Sequence, residues 1–267
     1  MSHDFTGAAA EFPDPFHLRV LESAGSTNDE LRTLAEASAP EGLVLLALEQ
    51  SAGRGRRGAK WFAPPGEALT FSILLRPAAP KALWPRLALA AGLAVAEAVE
   101  SFGPSVGIKW PNDVWIGSRK IAGILVEAGT DFAILGIGLN VNTTCFPDEV
   151  SQIASSLAME TCITHSRGDV LGAIIRRFAI RARQIDAEFA ALMNQARQRC
   201  VLTGQTVQLS TSSGPRVGVV DGLSPAGELI LRGPQGPELL IQADEIRILS
   251  PSAQNFVSPT LTESPTP

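Results

Sequence analysis

The chain has 267 residues, of which 45% are hydrophobic and 18% charged, as in an ordinary globular protein of one or two domains. Its formal net charge of -5 argues against a general nucleic-acid binder, because such proteins carry an excess of Lys and Arg. No signal peptide precedes the first ordered segment, no apolar run approaches membrane-spanning length and the cysteines are few and scattered, so we expect a cytoplasmic protein with no membrane segment.

The first elements follow a short N-terminal tail, residues 1–15, which we expect to be disordered. A strand is predicted over HLRVLESA, and a helix is predicted to start at Thr27, because Thr27 and Glu30 have capping-box spacing. Ser26, Thr27 and Asn28 therefore fall at a helix N-terminus, where hydroxyls and free N–H groups can meet a polar ligand. The alternative is that these residues only cap the helix.

The next elements indicate a sheet covered by helices. GLVLLALEQ predicts a buried strand that delivers Gln50 to a basic loop, and residues 69–75 predict another strand. A helix is expected over residues 84–102, with Pro85 in its first turn. The segments VGIKW, DVWI, KIAGILVEA and FAILGIGLNVN then predict successive strands, with a hairpin turn at Gly117-Ser118. The pattern predicts an α+β fold with a mixed, largely antiparallel sheet.

The C-terminal part of the chain changes character. Residues 166–200 have the apolar spacing of one long helical stretch. Beyond them, five short segments separated by Gly and Pro predict a small β-barrel. We therefore expect a larger domain over residues 16–202, a barrel over residues 203–250 and a disordered tail over residues 251–267, which is rich in Ser, Thr and Pro.

The sequence GRGRRG, residues 53–58, places three arginines and three glycines in one short loop. Glycines let the backbone fold around an anion, and guanidinium groups supply paired donors to it. The spacing matches neither the Walker loop nor the dinucleotide fingerprint. A solvated basic turn is the alternative.

Lysine is rare in this chain, which has 18 arginines and four lysines. Two of the four, Lys109 and Lys120, bracket the run KWPNDVWIGSRK, and a lysine retained in such a composition can serve through its compact, mobile ammonium. The alternative is that both only decorate a hairpin. Together with the basic loop, they predict a site for a phosphate and a carboxylate.

Five strings in order, STN, QSAGRGRRGAKW, KWPND, RKIAGIL and GIGLNVN, resemble those of biotin protein ligases. The resemblance implies a class II synthetase-like catalytic domain followed by an SH3-like barrel. It also implies a two-step enzyme, which forms biotinyl-5'-AMP from biotin and ATP and then acylates a lysine of a carrier protein. Since few residues precede the first strand, we expect the monofunctional type without a DNA-binding domain.

The resemblance also implies roles for individual residues. Lys120 and Arg56 would be catalytic, and Asp113 would hold Mg²⁺. Biotin would be bound by Ser26, Thr27, Asn28, Gln50, Arg54, Gly55, Arg56, Lys120 and Gly123. ATP would be bound by Arg54, Arg57, Trp61, Lys109, Asn112, Asp113 and Asn140.

The implied partner is the biotin carboxyl carrier protein of acetyl-CoA carboxylase or a related carboxylase, with no nucleic acid, and a homodimer is possible. Two other functions are open at this point. One is a lipoate or octanoate ligase or transferase of similar fold. The other is a non-catalytic biotin-responsive regulator, which would need an element that reads DNA.

Overall fold

The computed structural model describes residues 12–211 and 214–250, together with Phe5 and Gly7. Most of the N-terminal tail and the whole C-terminal tail, both predicted to be disordered, lie outside these residues. Phe5 differs from that expectation, because its side chain is fully buried and its ring centroid lies 5.2 Å from the guanidinium carbon of Arg167. An apolar ring that finds a place in the core is held there by the surface it removes from water.

The larger sheet has seven strands in the order β1-β2-β3-β7-β6-β5-β4. Only β1 and β2 are parallel, and the other neighbours are antiparallel, so the prediction of a mixed, largely antiparallel sheet is confirmed. The strands are β1 (His17–Leu21), β2 (Leu43–Ala47), β3 (Ala68–Leu75), β4 (Gly107–Lys109), β5 (Asp113–Ile116), β6 (Arg119–Ala128) and β7 (Ala133–Asn140).

Helices cover both faces of this sheet, which is why every residue of β3 is buried. They are α1 (Thr27–Glu36), α2 (Arg86–Glu100), α3 (Asp148–Ser151), α4 (Leu157–Thr161), α5 (Arg167–Ala187) and α6 (Phe189–Gln198). Helix α1 packs on one face through Leu31 and Ala35, whereas α2 and α5 pack on the other. The prediction of one long helical stretch over residues 166–200 is wrong in detail, because the stretch contains two helices, α5 and α6. The stretch breaks at Glu188, whose φ of -141° is not helical.

The stretch Lys81–Glu100 has the length and hydropathy of a membrane-spanning helix, contrary to the expectation from sequence. Most of it is buried inside the fold, where α2 packs against both the sheet and α5. Its apolar residues, mostly alanine, allow close approach on all sides, as in the core helix of a globular domain.

Five further strands form a second sheet in the order β11-β10-β9-β8-β12, and the predicted small barrel is confirmed. They are β8 (Thr206–Thr211), β9 (Gly214–Leu223), β10 (Leu229–Gly233), β11 (Gly236–Leu240) and β12 (Ile246–Ser250). The barrel shares one continuous apolar core with the larger sheet. Trp110 fixes the junction, because its indole N–H donates to the Gly227 carbonyl at 2.9 Å. The division at residues 202 and 203 stays a prediction.

Candidate active site

A cavity of about 220 Å³ lies where the N-terminus of α1, the basic loop and one face of β6 and β7 meet. Many residues predicted for the site from sequence line it. They are Ser26, Thr27, Asn28, Gln50, Arg54, Gly55, Arg56, Trp61, Asn112, Asp113, Lys120 and Gly123. Three others, Arg57, Lys109 and Asn140, are not among the lining residues. The topology thus gathers segments that are far apart in the sequence.

Glycines form the floor of the cavity. Gly123 of β6 is paired directly with Gly138 of β7, and Gly136 lies two residues earlier on the same face of β7. A Cβ atom at Gly138 would come within 2.4 Å of the Trp61 indole. One at Gly136 would come within 2.3 Å of Asn28 Oδ1. Glycine is required here because side chains from the loop and from α1 rest on the strand backbone.

One end of the cavity, which we call the uncharged end, is lined by Thr27, Asn28 and Gln50, with the fully buried Ser72 behind them. The helix starts at Thr27 as predicted, but the expected capping box is not formed, and Ser26 takes the N-cap position without a side-chain cap. Instead, the Thr27 backbone N–H donates to Gln50 Oε1 at 2.8 Å. The buried Ser72 hydroxyl lies 2.7 Å from Thr27 Oγ1 and 2.6 Å from Asn28 Oδ1. These contacts hold the polar groups in place before a ligand binds.

The uncharged end is connected to the basic loop through Glu127. The Asn28 amide donates to Glu127 Oε2 at 2.6 Å, and the Arg54 guanidinium donates to the same oxygen at 3.2 Å. Arg54 also binds Asp29 with both terminal nitrogens. This paired hydrogen bond raises the pKa of Arg54 and lowers the pKa of Asp29. Arg54 is therefore bound by two carboxylates, at the point where the loop contacts α1.

The basic loop is closed on itself by backbone hydrogen bonds. Gly55 N–H donates to the Ala59 carbonyl at 2.6 Å, and Trp61 N–H donates to the Gly53 carbonyl at 3.0 Å. This closure lays the Trp61 indole over the glycine floor at Gly138. The indole nitrogen is buried and has no hydrogen-bond partner among the described residues. A buried donor without a partner is costly, and a bound ligand could satisfy it.

The opposite end, the charged end, is built from Arg56, Asp113 and Lys120. Lys120 Nζ lies 2.7 Å from Asp113 Oδ1 and 5.5 Å from the Trp61 ring centroid. Arg56 donates to Asn112 Oδ1 at 3.2 Å and to the Ala243 carbonyl at 3.0 Å. Burial lowers the pKa of Arg56, with a smaller contribution from the neighbouring charge of Arg57. Two cations thus face one half of the cavity.

The three predicted residues outside the lining have other partners. Arg57 forms an ion pair with Asp244 of the barrel. The Lys109 ammonium lies 4.4 Å from the Trp115 ring centroid, and burial lowers its pKa. Asn140 donates to the Ser155 carbonyl at 2.9 Å, whereas its buried Oδ1 has no partner among the described residues.

Sequence reasoning missed Ser72, Glu127 and Asp244. Glu127 carries a usable signal, because it has the same strand parity as Gly123 and is the one charged residue in the part of β6 that follows Arg119 and Lys120. Ser72 is a small polar residue within an apolar strand, which is a weaker signal of the same kind. Asp244 lies in the connection before β12 and has no motif, so only the tertiary structure brings it to the cavity.

The arrangement suits two anionic reactants that must be brought together. Hydrogen-bonding groups without net charge lie at one end, and the cations at the other can offset the repulsion between a carboxylate and a polyphosphate. Within the described part of the chain, no three His, Cys, Asp or Glu residues are grouped as metal ligands. Two carboxylates line the cavity, Asp113 and Asp244, and Asp244 is paired with Arg57. Asp113, at the charged end, suits a Mg²⁺ ion bound mainly by substrate phosphates.

Comparison with known proteins gives concordant results. Residues 20–142 match the Biotin/lipoate A/B protein ligase family. The biotin--[acetyl-CoA-carboxylase] ligase of Mycobacterium tuberculosis is 35% identical over 80% of this chain and 82% of its own. The one from Paracoccus denitrificans is 33% identical over 84% and 98%. The structure of the Aquifex aeolicus biotin protein ligase with biotin and ATP superposes with a TM-score of 0.80 at 31% identity, covering 86% of this chain and 98% of that one.

Proposed function

The chain belongs to the biotin/lipoate A/B protein ligase family, as one of its biotin protein ligases, and from this premise we propose how its own residues carry out the reaction. The enzyme uses ATP to attach biotin to a protein. The observation that supports our assignment of residues is the division of one cavity into an uncharged end and a charged end above a glycine floor.

In the first step, a carboxylate oxygen of biotin attacks the α-phosphorus of ATP and pyrophosphate leaves, giving biotinyl-5'-AMP. Arg56 and Lys120 would lie beside the atoms where negative charge accumulates, so they favour the transition state over the separated anions. To do so, Lys120 must leave Asp113, which its ammonium contacts at 2.7 Å. We assign both residues catalytic roles.

In the second step, the amine of a carrier lysine attacks the acyl carbon and AMP leaves. Closure of residues 53–61 over the adenylate would exclude water until that amine arrives. The names of the relatives support a carboxyl carrier protein of acetyl-CoA carboxylase as the acceptor. We propose that this carrier, rather than a nucleic acid, is the partner of the enzyme in the cytoplasm. A homodimer stays a prediction.

We assign biotin to the uncharged end. Its bicyclic ring carries a ureido group, which can use the amide and hydroxyl groups of Thr27, Asn28 and Gln50. Ser26 and the backbone of Gly55 and Gly123 would complete the contact surface. Since Arg54 is held by Asp29 and Glu127, its contribution to biotin or ATP is to fix the loop rather than to bind an anion directly.

We assign the nucleotide to the charged end. Adenine offers an amino donor and ring-nitrogen acceptors, and the unpartnered Asn140 Oδ1 and Trp61 Nε1 support contacts of both kinds. Arg57, Lys109 and Asn112 would affect the phosphates indirectly. Arg57 would do so through the basic loop, and Lys109 and Asn112 through the hairpin of β4 and β5 on which they lie. Asp113 would hold Mg²⁺ together with phosphate oxygens, and the ion would neutralise charge on the polyphosphate.

The test is biotin-dependent exchange of labelled pyrophosphate into ATP, followed by mass spectrometry of a carrier domain incubated with the enzyme, biotin and Mg-ATP. We expect exchange with biotin and a single biotinyl group on one carrier lysine. Exchange that lipoate supports as well as biotin does would contradict the assignment of the uncharged end, and so would an unmodified carrier.

A further inference from the structure

The basic loop contacts the barrel as well as the larger sheet. Two successive arginines make the contact. Arg56 donates to the Ala243 carbonyl at 3.0 Å, and Arg57 forms an ion pair with the Asp244 carboxylate. Asp244 is among the residues that line the cavity, so the barrel contributes a charged group to the site.

The barrel side of this contact is held firmly. The Asp244 N–H donates to the Ser210 carbonyl at 2.8 Å, and the Ser210 N–H donates to the Glu245 carbonyl at 3.1 Å. Ala243 is 1% exposed, and the Asp244 side chain is 19% exposed. The segment before β12 is therefore fixed to β8, and Asp244 has little freedom to move away from the cavity.

The loop side is constrained differently. Arg57 has φ 56° and ψ 30°, in the left-handed region that a non-glycine residue adopts at a cost. Gly58 follows with φ 77°. The chain reverses at these two residues, and it is in this conformation that the Arg57 guanidinium reaches Asp244. A contact across to the barrel is one interaction that offsets the local strain.

Electrostatics gives the contact a second role. The charge of Arg57 disfavours the charged form of Arg56, whereas the Asp113 and Asp244 carboxylates favour it and so act to raise its pKa. Without Asp244, two adjacent guanidinium groups would repel each other at the mouth of the cavity. Asp244 therefore allows the loop to hold Arg56 close to the reacting atoms.

We propose that Asp244 is a positioning residue of the barrel, which holds the closed loop through Arg57 and so keeps Arg56 over the biotinyl adenylate. This proposal rests on the function assigned above and extends it, because it gives the barrel a defined part in retaining the intermediate. Asp244 itself would contact neither biotin nor ATP. Its effect is on how long the loop stays closed.

The experiment measures the release of labelled biotinyl-5'-AMP from the purified enzyme in the absence of carrier. The variants are Asp244→Asn, Arg57→Gln and the double variant. Asp221→Asn is the control, because Asp221 forms an ion pair with Arg232 on the surface of the barrel and is not among the cavity residues. We expect each single variant to release the adenylate about fivefold faster, as for a partly exposed ion pair. The double variant should be no faster than either single variant, and the control should match wild type.

Release within about twofold of wild type in both single variants would overturn the proposal, as would a double variant whose effect is the product of the two. Should Asp244→Asn fail to fold, the exposed Arg57→Gln still tests the pair. The midpoint of thermal unfolding of each single variant should match that of Asp221→Asn. Faster release without a lower midpoint distinguishes a positioning role from a purely structural one. A wild-type enzyme that forms no adenylate would instead contradict the proposed function itself.

Discussion

The two ends of the cavity are organised in opposite ways. At the uncharged end, a chain of hydrogen bonds joins the half-buried Gln50 to the buried residues Thr27, Ser72 and Asn28. At the charged end, Lys120 binds Asp113, and Arg56 binds groups on two other segments. The first end is formed before a ligand arrives. The second must exchange its internal partners for substrate, and this difference suits recognition at one end and chemistry at the other.

The largest effect should come from the charged end. Lys120→Ala removes a charged donor worth about 1.5 to 3 kcal/mol, so pyrophosphate exchange should slow about 10- to 100-fold. The fold should survive, because Lys120 is partly exposed and its backbone hydrogen bonds remain. Lys81→Ala, outside the cavity, is the control. Exchange at the wild-type rate in the Lys120 variant would show that this ammonium does not contribute to adenylation.

The floor beneath the uncharged end should be the next most sensitive. In Gly136→Ala the new Cβ would lie 2.3 Å from Asn28 Oδ1, which is buried and hydrogen-bonded and cannot easily move. Overpacking of this kind costs about 1 to 3 kcal/mol, so the KM for biotin should rise about tenfold or more. The control is Gly92→Ala in α2, where the nearest atom to the new Cβ, Ile124 Cδ1, is 3.9 Å away, and this variant should leave the KM for biotin unchanged. A larger effect on the KM for ATP than on that for biotin would reverse the assignment of the two ends.

Removal of one hydroxyl from the uncharged end should have a moderate effect. Ser72→Ala leaves Asn28 Oδ1 without its donor, which should weaken biotin binding about fivefold, or roughly 1 kcal/mol. Isothermal titration with biotin measures the change. The kcat for adenylation at saturating biotin should stay near that of wild type, and Ser151→Ala, outside the cavity, is the control. A fall in kcat as large as the loss of biotin affinity would mean that the two ends do not act separately.

The smallest effect concerns the connection between the ends. The hydrogen bond from Arg54 lowers the pKa of Asp29, so the pair stabilises the folded loop at neutral pH and is lost as pH falls through that lowered pKa. The effect is small because Asp29 is largely exposed. Comparing adenylate release at pH 7 with release at pH 3, below the ordinary carboxyl pKa of 3.8, in wild type and Asp29→Asn measures it. Acid should speed release less in the variant, and identical pH dependence would exclude Asp29 as the group responsible.

Much of the site could be predicted from local sequence, because its parts are motifs whose chemistry is visible in a few residues. The cavity is lined by Arg54, Gly55 and Arg56 of the basic loop, by Lys120 after the hairpin turn and by Thr27 at the start of the helix. The expected capping box failed because Ser72, distant in sequence, binds Thr27 and Asn28 instead. Glu127 and Asp244 were missed because their partners are far away along the chain.

The sequence by itself determined the alternation of strands and helices, the five barrel strands and the residue types needed to bind two anions, since each depends on periodicity or on composition within a short window. Only the tertiary structure decided which groups are satisfied by the protein and which are left for a ligand. That choice depends on contacts between β3, α1, β6 and the barrel, and hydrogen bonds and ion pairs form over a few ångströms in space whatever the separation in sequence.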